Sequence, residues 1–249
     1  MLRSNIQNNA ESRISHPSFI DLRRFAKAGV CPPIDIAMDA FLSSRRVLEL
    51  PDGPVEVGAI YLDMGQGSVD NLSTDEFVIV CSGSVVFQQA DRVLKLEKNA
   101  SALLPHDAGF TWSCEAPTTL IYVRYRGSVA GDGSIVAINE AAMLEPSGSP
   151  LAELLVGPTP KCRNHTDYLS ADGEFMCGTW DSTPYYRKAM HYRHFELMYL
   201  LDGSVTFEDE TGLKGTFVKG DIFMVEQHAQ CSWESLEHVK KVYVIYRPS

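Results

Sequence analysis

Four of the seven histidines, His191, His194, His228 and His238, fall between residues 191 and 238, with Glu196 and Cys231 among them. Neutral imidazole, carboxylate and thiolate are the side chains that hold divalent transition metals, and a thiolate leans such a site toward Zn over Mn. A metal held this way acts as a Lewis acid or activates water. Just upstream, Tyr185, Tyr186, Arg187 and Lys188 form a basic and aromatic cluster. It suits a carboxylate or ureido group, and it also suits a solvated loop. The six cysteines form no CxxC pair, and neither GxGxxG nor GxxxxGK[ST] occurs, so no nucleotide site is implied. Cys162 and His165 (KCRNH) lie in a connecting stretch and read as a coincidental pair.

The elements that must position these residues are strands. VEVGAIYLD, FVIVCSGSVVFQ, VLKLE, LIYVRY, LMYLLDGSVTFE, DIFMVE and VYVIY are short, rich in Val, Ile, Tyr and Phe, and punctuated by Gly, Pro, Asp or Asn. Helical signals are few. Residues 17–28 read as a helix, with Pro17 at its start and Gly29 beyond its end. Short helical turns are expected over 138–144 and 151–156.

An internal repeat organises the chain. Glu76–Phe87 lies 120 residues before Glu196–Phe207, and five of the twelve positions are identical. Ala108–Tyr125 aligns with Ala229–Tyr246 one residue further on, so that Trp112 meets Trp233 and the YVxY endings coincide. One supersecondary plan is therefore used twice, in units large enough to close small barrels that leave no exposed sheet edge. Lys and Arg number 22 against 32 Asp and Glu, a formal charge of −10 that disfavours nucleic acid as a partner. No apolar run approaches the roughly 20 residues of a membrane span. MLRSNIQNNAESRISHPS has no apolar core of a signal peptide, and the cysteines read as reduced thiols, so a cytoplasmic protein is expected.

The second half runs GTWDSTP, HYRHFELMYLLDGSVTFEDETG, FVKGDIFMVEQHAQCSWE and VKKVYV. With its Gly–x–Trp strand, Glu196–x6–Gly203, the Gly220–Asp221 turn, Trp233 and Lys240–Lys241, it resembles the cupin superfamily. Within it, the likeness is to the (S)-ureidoglycine aminohydrolase type, also found in ethanolamine-utilisation proteins. The likeness covers about 170–246, and the first half joins through the repeat. It implies an all-β bicupin: two tandem RmlC-like jelly-roll barrels with a few short helices. An N-terminal arm plus a degenerate barrel is expected over 1–128, and a connector plus a C-terminal barrel over 129–249.

Metal-binding cupins carry two His two residues apart, then a Glu, then a third His. By that resemblance His191 takes the second His position, Ala189 the first, and Cys231 the third, with Glu196 kept. His194 and His228 lie near enough to substitute. The implied site is His191, Glu196, His228 and Cys231, holding Zn, Mn or Fe, or no metal if Glu196 only accepts hydrogen bonds and Cys231 is a buried thiol. Ureidoglycine aminohydrolase uses a glutamate, two histidines and a glutamine; where its upstream ligands are sought stand Met190 and Tyr192. In the first half the matching positions are Val69, Asn71 and Phe110, with only Glu76 retained, so that barrel reads as structural.

The expected function is binding or transforming a small polar ureido, amino or carboxylate metabolite in the C-terminal barrel. Trp180, Tyr186, Arg193, Tyr199, Trp233 and Lys241 are the candidate substrate-binding residues. The alternatives are a bicupin that binds a small molecule without catalysis, having lost its metal ligands, and a structural module with solid barrels. A homodimer is expected, with the arm 1–40 packed across a barrel or a second subunit.

Overall fold

The computed structural model describes residues 18–29, 38–131 and 133–249. Most of the 1–40 arm, Pro17 and Cys31 lie outside the described residues. The described chain forms two jelly-roll barrels, each made of a large and a small antiparallel sheet. In the first, Val55–Leu62, Asp75–Ser82, Ser101–Leu104 and Thr118–Tyr125 belong to a six-stranded sheet facing a four-stranded one. In the second, Phe175–Ser182, Phe195–Asp202, Ile222–Val225 and Val239–Tyr246 belong to a seven-stranded sheet facing a five-stranded one. The repeat is thus the barrel itself. The glycine closing each Glu–x6–Gly segment confirms it locally: Gly83 and Gly203 adopt φ of +78° and +77°, a conformation that favours residues without Cβ. An added Cβ would also stand 2.8 Å and 2.2 Å from the carbonyl oxygens of Pro117 and His238.

Period-two alternation then sorts side chains into three apolar layers. Along Phe195–Asp202 the odd residues Phe195, Leu197 and Tyr199 face out of the barrel, while Met198 and Leu200 face in. On the matching strand Asp75–Ser82, Phe77, Ile79 and Cys81 likewise face out of the first barrel, and Val78 and Val80 face in. The two outward faces pack on each other with Ile121, Val123, Val242 and Val244, so one shared layer joins the barrels.

The N-terminal segment seals this seam. Instead of the single helix read over 17–28, Phe19–Asp21 is a strand paired with Ile222–Val225 of the second barrel, and the helix is Leu22–Lys27. Asp21 caps it by accepting from the Arg24 N–H, which sets the start later than Pro17. Arg23 donates to the Gly220 carbonyl (2.5 Å) and to Asn99 Oδ1 (2.6 Å), tying both halves. In the connector the helical readings reduce to a turn at 140–141 and one 3-10 turn, Ala152–Leu154. The five described cysteines are unpaired. Among the described residues no helix is long and apolar enough to cross a membrane.

Candidate functional site

The first barrel is filled. Phe41, from the short helix Ala40–Ser43, meets Phe87 and Phe110 edge to face at centroid separations of 5.9 and 5.3 Å. Beside them the fully buried Glu76 accepts two hydrogen bonds from Arg45 (2.7 and 2.9 Å) and one from Arg124 (3.1 Å). A carboxylate so occupied is a structural ion cluster, and nothing is left on it to bind a ligand.

The second barrel holds a cavity of about 440 Å³. Its wall includes Met176, Trp180, Tyr185, Arg187, Met190, Tyr192, His194, Glu196, Trp233, Lys241 and Ile245. Lys241 and Glu196 form a buried ion pair at 2.8 Å, and Lys241 Nζ also lies 4.7 and 5.0 Å from the ring centroids of Trp180 and Trp233. His194 Nε2 stands 3.6 Å from the second Glu196 oxygen. Burial by itself would raise the Glu196 carboxyl, but the Lys241 ammonium and His194 more than offset it and hold the group at about 2. An acid so strong is a poor proton acceptor at neutral pH, and a lysine so paired is a poor nucleophile.

Tyr185 stacks on the Trp233 ring at 5.6 Å and 11°. Arg187 is 4% exposed. Its Nη2 donates to the Tyr192 hydroxyl at 2.7 Å and its guanidinium lies 5.1 Å from that ring, yet its Nη1 has no hydrogen-bond partner.

The strand Tyr185–His191 carries a bulge. Arg187 pairs with Trp233 and Met190 with Cys231, three steps on one strand against two on the other. The extra residue changes the parity of inward positions: Tyr185 and Arg187 before it, then Met190, Tyr192 and His194 after it. This decides where the expected site residues stand. Trp180, Trp233 and Lys241 line the cavity. Tyr186 is on the exposed side of the bulged strand, and Arg193 is exposed, with its carbonyl accepting from Gln227. Tyr199 belongs to the layer between the barrels because it lies on the odd face of its strand, leaving Met198 as the inward neighbour.

Of the expected metal ligands only Glu196 faces the cavity. His191 and His228 are exposed and paired with each other at 3.3 Å, His191 being out of phase with the inward Met190 and Tyr192. Cys231 is fully buried in the apolar core, where desolvation pushes its thiol up to about 12. Among the described residues no three His, Cys, Asp or Glu side chains gather as a cluster able to hold a metal. The usual metal donors on the cavity are only His194 and Glu196, and Glu196 is already paired to Lys241; the other side chains there that carry donor atoms are thioethers and phenols, so the set does not fit the divalent metal that the family resemblance implies. Five residues that form the cavity flank or follow the bulge. The sequence offers Tyr185 and Arg187 within the basic and aromatic cluster and His194 as a substitute ligand, but it does not mark Met190 or Tyr192 as site formers.

Residues 169–243 match the model of the EutQ-like cupin domain family. No curated protein sequence matches the chain. Among solved structures, a protein of unknown function from Pseudomonas syringae pv. tomato is 25% identical, with a TM-score of 0.77 over 82% of this chain and 86% of its own. Ylba from E. coli is 13% identical, with a TM-score of 0.58 over 96% and 94% of the two chains. A salicylate 1,2-dioxygenase from Pseudaminobacter salicylatoxidans is 12% identical, with a TM-score of 0.54 over 96% and 88%.

Proposed function

We propose that this chain, which belongs to the cupin superfamily and carries two of its barrels, binds a small polar molecule in the C-terminal barrel without a resident metal. The observation that carries this reading is the contrast between the two interiors. The first is closed by Phe41, Arg45 and Arg124, whereas the second keeps a cavity, open to solvent on one side, walled by aromatic, thioether and charged side chains. Sites of that composition hold small ligands by shape, with a few polar groups fixing orientation. The ion pair of Glu196 and Lys241 would present one oxygen side and one ammonium side to the ligand. Trp180 and Trp233 would exclude water. The strong acidity of Glu196 favours binding over acid–base turnover.

Elemental analysis and thermal shift on the purified full chain test this reading. Sub-stoichiometric metal, a Tm unchanged by EDTA, and stabilisation by members of a panel of small polar metabolites support it. Stoichiometric metal that disappears in His191→Ala and Glu196→Ala overturns it. The cytoplasmic homodimer expected from the sequence belongs to the same proposal, and light scattering at twice the monomer mass supports the dimer.

A further inference from the structure

We infer that the ligand of the C-terminal barrel is a small carboxylate with an apolar body, its carboxyl group held by the Arg187 guanidinium and the Tyr192 hydroxyl. This rests on the reading that the barrel is a ligand-binding cavity, and it names the class of ligand. Three observations carry it. The first is an uncompensated cation. Lys241 already has Glu196 at 2.8 Å, whereas among the described residues no Asp or Glu oxygen lies within ion-pair distance of Arg187. A buried guanidinium without an anion is costly, and proteins rarely leave one so. The second is position. Arg187 is 4% exposed and lines the cavity, with Nη2 held by the Tyr192 hydroxyl and Nη1 buried without a partner. A guanidinium held in place by one hydrogen bond is preorganised for an anion brought against it. The third is the remaining wall. Met176, Met190, Trp180 and Ile245 are partly exposed apolar side chains on the same cavity, and they offer contact to a carbon skeleton.

The probes are benzoate, its neutral isostere benzamide, acetate and inorganic phosphate, titrated by calorimetry and thermal shift against the full chain. Benzoate raises the Tm, acetate does so more weakly, and benzamide is at least tenfold weaker than benzoate. Arg187→Gln abolishes the benzoate response without lowering the ligand-free Tm, since it removes an unpaired buried charge. Tyr192→Phe keeps the charge and weakens benzoate severalfold, so the assignment stays testable if Arg187→Gln does not fold. A benzamide response equal to that of benzoate, a stronger response to phosphate, or benzoate binding that survives Arg187→Gln overturns the carboxylate assignment and leaves the binding cavity standing. No response to any of the four probes overturns the carboxylate assignment, and the binding cavity falls with it only if the wider panel of polar metabolites is silent as well.

Discussion

At the level of single side chains, the two barrels solve the same buried glutamate differently. Glu76 is surrounded by two arginines and Glu196 by one lysine and one histidine. A buried pair is costly to break, because the partner left behind is a desolvated charge. Lys241→Met is therefore expected to lower stability at pH 7 by about 3–5 kcal/mol in urea denaturation. The acid limb identifies the cause. Glu196 titrates at about 2 when folded against an ordinary 4.5, so its contribution is complete above about 4.5 and disappears as pH falls toward 2. The gap between the wild type and Lys241→Met should close over that interval; a gap that stays constant down to pH 2.5 would show that lost packing, not charge, is responsible.

At the level of the strand, the decisive feature is the bulge after Arg187. Alternation in FELMYLLD and VYVIY was readable from the residues, and so were the barrels and their duplication. The phase of YYRKAMH was not, because one unpaired residue in a ladder leaves no mark in composition. Counting back from Glu196 in twos reaches Tyr192 and Met190 correctly, but continuing in twos past the bulge puts Lys188 and Tyr186 inward in place of Arg187 and Tyr185. The family pattern misleads at the same point, since it places His191 one residue out of phase. Deleting Lys188 should remove the extra residue and leave Arg187 two steps before Met190, so that Tyr185 and Arg187 still face inward on a regular ladder. The expected result is a folded barrel that keeps its benzoate response and its tryptophan emission, with Tyr185 still on the face of Trp233. Lost binding and a red-shifted emission would show that the bulge itself, and not parity alone, places Arg187.

At the level of the whole molecule, the layer built from Phe77, Ile79, Ile121, Leu197, Tyr199 and Val242 makes the barrels mutually dependent. Neither half can open without wetting the outer face of the other, and Arg23 fastens the N-terminal helix to both. Differential scanning calorimetry should record one transition with equal calorimetric and van't Hoff enthalpies. Two resolved peaks would mean that the shared layer does not couple the halves. This layer was legible only in part. The outward apolar residues are plain in the alternation, but nothing in one strand says which other strand will cover them.

That shared layer also bears on how such a pair diverges. After duplication, one copy is ordinarily free to drift everywhere. Here the drift is split by side-chain parity. The inward residues of the first barrel face only their own interior, which Phe41, Phe87, Phe110 and the arginine–glutamate cluster fill. The outward residues of its large sheet, such as Phe77, Ile79 and Ile121, are answerable to the other barrel. A substitution at Phe77 is thus an event for Leu197 as much as for its own barrel.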